Sequence, residues 1–130
     1  MTRWIILTLL LLASPARAAD CDVAFNCLQG KATINGKSYP IVCGRQTARG
    51  IEAGTLGSWF RANGTPGPGK VPVGTPMIST SPMLCYDCHI HVTSDFRWSN
   101  GCLGTTSAAF NALKACAGSK FTIRTARAAE

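Results

Sequence analysis

Seven cysteines constrain this chain more than any other feature. They are Cys21, Cys27, Cys43, Cys85, Cys88, Cys102 and Cys116, and all follow a leader-like start. Thr2 and Arg3 give a short basic opening, Trp4 to Leu12 is apolar, and Ala16-Arg17-Ala18 is a small-residue cleavage signal. That is the pattern of a secretory signal peptide, so residues 1–18 are expected to be removed and residues 19–130 to form one domain. An exported chain meets oxidising conditions in which thiols pair. The expectation is a small fold stapled by disulfides, with an odd cysteine left over as a reactive thiol. Six cysteines allow about 15 pairings, among which sequence does not choose.

The length of 130 residues suits one domain and leaves no room for two. No stretch after the leader approaches the roughly 20 apolar residues of a membrane-spanning helix. Losing Arg3 and Arg17 lowers the net charge from +7 to +5. The remaining Lys and Arg are scattered, so no nucleic-acid stripe is present and no nucleic-acid partner is expected. Mild basicity in an exported chain fits an anionic neighbourhood such as a cell wall. The expected location is the periplasm or cell envelope, or outside the cell.

The elements read as β-rich. Val23 to Ile34 is short strand material. Asn35-Gly36 supplies the positive-φ pair of a type I′ hairpin turn, and Lys37 to Cys43 returns. Pro40 argues for an edge strand or a strand start. Gly44 to Gly57 shows no clear period. A segment dense in turn residues, Asn63 to Gly69, then Val71 to Pro76, cannot be crossed by a helix. Met83 to Val92 is strand-like, with His89 and His91 on one face and Ile90 on the other. Ser94 to Gly104 is rich in turn residues. Ser107 to Ala117 is the one clear helix, capped by Thr106 or Ser107, stopped by Gly118, with Ala109, Phe110, Leu113 and Cys116 as its apolar stripe. Phe121 and Ile123 alternate in a last strand. The fold class is therefore α+β, β-rich: a small mixed sheet or sandwich with one helix near its end. Cys21 and Cys27 are close enough to staple the mature N-terminus, Cys116 is placed to tie the helix to the sheet, and Cys43 to reach Cys85 or Cys88.

One constellation carries chemistry. Ile90-His91 is followed by Ser99-Asn100-Gly101-Cys102-Leu103-Gly104. A thiolate is the reactive form of cysteine, and a neighbouring imidazole can take the thiol proton. Gly101 permits a sharp turn whose backbone N–H groups can stabilise an oxyanion. Ser99 is placed to bond within that turn or orient the histidine. Arg97 stands between base and nucleophile and suits a substrate carboxylate, as do Arg45 and Arg124. Trp98 and Tyr86 are candidate cleft-lining aromatics.

These residues resemble the active-site motif of the L,D-transpeptidase catalytic domain, the YkuD-like fold. That family carries an Ile-His pair, then a Ser/Thr-His-Gly-Cys-apolar string. Upstream, Lys70-Val71-Pro72-Val73-Gly74-Thr75-Pro76 occupies the place of a Thr-Pro-x-Gly segment. The resemblance runs in order over roughly residues 28–118. Asn100 stands where the family has a second His, and the His91-to-Cys102 gap is short, as in compact members that include interbacterial toxins. The resemblance implies catalysis by Cys102 and His91 with Gly101 and Ser99, substrate contacts from Arg97, Trp98 and Asn100, and peptidoglycan stem peptides as substrate. It implies no metal and no cofactor. A monomer is expected, accompanied by an immunity protein if it attacks a rival's wall.

A competing motif shares the region. Cys85-Tyr86-Asp87-Cys88-His89 matches the C-x-x-C-H pattern of c-type haem attachment, but its distal ligand must come from elsewhere, and Met77 and Met83 lie just upstream in Pro-rich and strand-like sequence. Cys85, Cys88, His89 and His91 are also residue types that suit zinc.

Overall fold

The computed structural model describes residues 20–44, 51–62, 74–84, 89–94, 96 and 103–125. The leader and the Pro/Gly segment over 63–73 lie outside those residues.

Eight strands close into a barrel. They are β1 (Val23–Asn26), β2 (Lys31–Ile34), β3 (Lys37–Cys43), β4 (Ala53–Arg61), β5 (Pro76–Ser81), β6 (Ile90–Val92), β7 (Leu103–Thr105) and β8 (Lys120–Arg124). Around the barrel the order is β1-β2-β3-β7-β6-β5-β4-β8, with β8 returning to β1. The β1–β8 and β6–β7 pairs are parallel and the others antiparallel. The sheet is mixed, as expected, but it is one closed surface rather than an open sheet or a two-layer sandwich. The parallel β1–β8 contact, which joins the two ends of the described chain, makes the difference.

Alternation along each strand fills the interior. Ala32 and Ile34 point inward from β2, Val23 and Phe25 from β1, and Phe121 and Ile123 from β8. Phe25 and Phe121 meet edge to face at 5.4 Å. Leu56, Ile78, Ile90 and Leu103 continue the same cluster. The helix α1 (Ser107–Lys114) joins it through Ala109, Phe110 and Leu113, as its stripe predicts. Thr106 caps α1 by accepting from the Ala109 N–H at 3.1 Å. The helix ends three residues earlier than the sequence suggests, and the chain turns through Gly118 at φ 89°.

The Asn35-Gly36 turn is as expected, with φ of 50° and 83°. Pro40 sits mid-strand, but the ladder from β3 to β7 begins only at Ile41, so one side of β3 is locally an edge there. Three strands escape the sequence pattern, β4, β5 and β7. β4 runs from Ala53, inside the stretch that lacks a period, because a bulge between Leu56 and Trp59 breaks its alternation. Its glycines allow close approach to neighbours. A Cβ on Gly54 would lie 2.7 Å from the Phe121 ring and 2.9 Å from the Ser81 carbonyl oxygen. β5 begins at Pro76 and hides its inward Ile78 among hydroxyl residues. Conversely, the strand expected over Met83–Val92 is confirmed only at Ile90–Val92, while Met83 is exposed and Leu84 is buried outside any strand. Leu103 and Gly104, expected in a turn, belong to β7.

The disulfides correct the expected pairing. Cys21 bonds Cys116, and Cys27 bonds Cys43. The long-range link follows from topology. The β1–β8 register sets Val23 opposite Phe121, and the Cys21 N–H donates to the Ser119 hydroxyl at 3.0 Å. Cys116 does anchor the helix, but to the strand-entering N-terminal segment. Cys43 is used by Cys27 and does not reach Cys85 or Cys88. Two bridges suit an oxidising, extracytoplasmic environment, and no helix among the described residues is long and apolar enough to cross a membrane.

Candidate functional site

His91 is the one proposed catalytic residue within the described part of the chain. Cys102, Gly101 and Ser99 lie outside it, as do Arg97, Trp98 and Asn100. So do Cys85, Cys88, Tyr86 and Arg45.

β6 positions the histidines as the alternation predicts. Ile90 is fully buried in the barrel, so His91 projects from the outer surface, half-buried. Its Nδ1 lies 2.9 Å from the Val92 carbonyl oxygen. A carbonyl only accepts, so in the neutral ring this bond puts the proton on Nδ1 and leaves the lone pair on Nε2. This is the tautomer a general base needs if it works through Nε2.

The parallel β6–β7 ladder brings two distant pieces of sequence together. Ile90 pairs with Leu103, His91 with Gly104 and Val92 with Thr105. The Leu103 N–H donates to the His89 carbonyl at 3.3 Å, and the Thr93 N–H to the Thr105 carbonyl at 2.9 Å. Leu103 directly follows Cys102 in the chain. The strand carrying His91, with His89 immediately before it, thus runs beside the strand that begins one residue after the proposed nucleophile.

A row of side chains crosses the outer surface at the level of His91. Phe60 pairs with Met77, Met77 with His91, His91 with Gly104, and Gly104 with Val42. Met77 and Val42 are buried although they point away from the barrel core. Part of the cover over Met77 is aromatic. The Phe60 ring meets the His89 ring edge to face at 4.9 Å, although β5 lies between their strands. The two rings therefore lean toward each other over β5. At the other side Gly104 is held to glycine by packing, since a Cβ there would lie 2.6 Å from Thr93 Cγ2 and 3.2 Å from Val42 Cγ1.

Sequence reading missed Phe60 and Val42 as neighbours of the histidines. Met77 carried a signal, as a ligand-type residue near the C-x-x-C-H string, but its partner could not be seen before the β5–β6 register was known. Arg124 does not join the site. It is exposed on β8, three strands from β6 around the barrel. Among the described residues, no group of three His, Cys, Asp or Glu side chains is placed to hold a metal ion. No protein-family model matches the sequence, and no curated protein matches it either.

Proposed function

We propose that the protein is an exported cysteine acyltransferase or hydrolase acting on peptidoglycan stem peptides, a compact relative of the L,D-transpeptidase catalytic domains. In this reading Cys102 attacks the carbonyl before the terminal D-alanine of a tetrapeptide. His91 Nε2 accepts the thiol proton and later gives it to the departing amine. Gly101 and Cys102 supply backbone N–H groups to the oxyanion, Ser99 supports the turn, and Arg97, Trp98 and Asn100 bind the stem. An amine acceptor yields a cross-link or an exchanged D-amino acid. Water yields a carboxypeptidase.

The observation that carries the proposal is the β6–β7 pairing. Nucleophile and base stand eleven residues apart in sequence, yet the parallel ladder sets His91 opposite Gly104, two residues beyond Cys102. The His91 tautomer and the two disulfides agree with it. The test is incubation of the mature protein with purified muropeptides, with and without amine acceptors. Tetrapeptide stems should change, tripeptide stems should not serve as donors, and Cys102→Ser should be inert. A folded protein with a free Cys102 thiol that leaves every stem unchanged would refute the reading.

A further inference from the structure

The outer face of β5 and β6 holds a donor set of which acyl transfer uses only His91. His89 and His91 are two residues apart, one on each side of the inward Ile90, so both imidazoles stand on the outer face. Met77 is the cross-strand partner of His91. Directly opposed residues on antiparallel strands have Cβ atoms roughly 4.5–5.5 Å apart, within reach of a long thioether and an imidazole. The Phe60–His89 ring contact extends over β5, the strand that carries Met77, which is only 4 % exposed.

We propose that His89, His91 and Met77 form a binding site for a soft monovalent metal ion, Cu(I), beneath Phe60. Chemistry selects the ion. Thioether sulfur is a poor ligand for hard cations, whereas thioether with imidazole suits Cu(I). A set of two nitrogens and one sulfur satisfies an ion content with few ligands. The site also has the outer support that metal-binding histidines use. The Nδ1–H of His91 is held by the Val92 carbonyl, which leaves Nε2 as the ligating atom. Met77, the sulfur donor, is itself buried, which shields that side of the site from water. The site needs no carboxylate and no cysteine; it can exist whether or not the acyl-transfer reading holds, but Cu(I) on Nε2 would occupy the lone pair that acyl transfer uses, so metal-loaded protein could not use His91 as base.

The test uses mature protein with its disulfides intact and its free thiols blocked by iodoacetamide. Blocking removes the competing sulfur ligands and any cysteine catalysis, so the two proposals fail separately. Cu(I) is delivered from a bicinchoninate complex under argon. Ag(I), a soft d10 substitute that does not oxidise in air, is followed by NMR of labelled methionine methyl groups. The expected result is one equivalent bound per chain, with the Met77 methyl and both imidazoles shifting together. Met83 is half-exposed and serves as the internal reference. Met77→Leu, which keeps volume, should weaken Cu(I) binding at least tenfold while leaving any Zn(II) binding unaltered. His91→Ala and His89→Ala should each weaken it by a similar factor. Should a histidine variant not fold, Met77→Leu decides. No copper retained by the thiol-blocked protein, a stationary Met77 methyl, or unchanged affinity in Met77→Leu would overturn the proposal.

Discussion

Breaking one at a time the two disulfides found among the described residues should cost unequal amounts. Cys21–Cys116 joins residues 95 apart, and Cys27–Cys43 joins residues 16 apart. In the chain-entropy picture a bridge acts mainly by restricting the unfolded chain, and the effect grows with the logarithm of the loop. The long loop is then worth about 4.7 kcal/mol and the short one about 3 kcal/mol. The clean comparison is Cys21→Ala against Cys27→Ala. Both residues are half-buried, and Cys21→Ala leaves the buried Cys116 sulfur in its place. Cys21→Ala should therefore lose about 1.6 kcal/mol more than Cys27→Ala. For a domain of this size that separates their Tm values by on the order of 10 °C. Small domains hold about 5–15 kcal/mol in all, so Cys21→Ala should sit near the edge of folding. The assay is urea unfolding at mildly acid pH, where few thiolates exist to reshuffle the remaining bridges. Equal losses, or a larger loss in Cys27→Ala, would refute the loop-entropy account of this fold.

Four further outcomes are expected. Alkylation of the unreduced protein followed by mass spectrometry should label Cys102 alone. With Cys21, Cys27, Cys43 and Cys116 already paired, the remaining bridge is then Cys85–Cys88, and label on either would contradict this. In acyl-enzyme formation with a carbapenem, the wild type should gain one drug mass and Cys102→Ser none. His91→Ala should abolish the adduct and His89→Ala retain much of it, and the reverse order would reassign the base. Thr106→Ala should lose about 1 kcal/mol with the helix cap while Thr106→Ser keeps most of it, measured by urea unfolding. Gly54→Ala should cost about 1–3 kcal/mol in the same assay, because its Cβ would meet the buried Phe121 ring and a backbone oxygen that cannot turn away.

Local rules carried much of the fold into the sequence. Asn35-Gly36 specifies its turn because few other pairs accept positive φ twice in succession. The helix is legible from its cap and its stripe, set within a few residues, although it ends at Lys114, short of the Gly118 stop. The period-2 burial of Phe121 and Ile123 is equally local. Alternation also places His89 and His91 on one face without reference to any other strand. What sequence by itself could not decide were the relations between strands. β4 and β5 were obscured because a bulge and a run of small hydroxyl residues hide their inward positions. Barrel closure, the Cys21–Cys116 link and the neighbours of His91 all depend on register between segments far apart in the chain. Register is fixed by which apolar faces can be buried together, a property of the whole assembled sheet that no single segment contains. The same holds for Met77. Its identity as a soft ligand is written in the chain, but its place beside His91 exists only once β5 and β6 are paired.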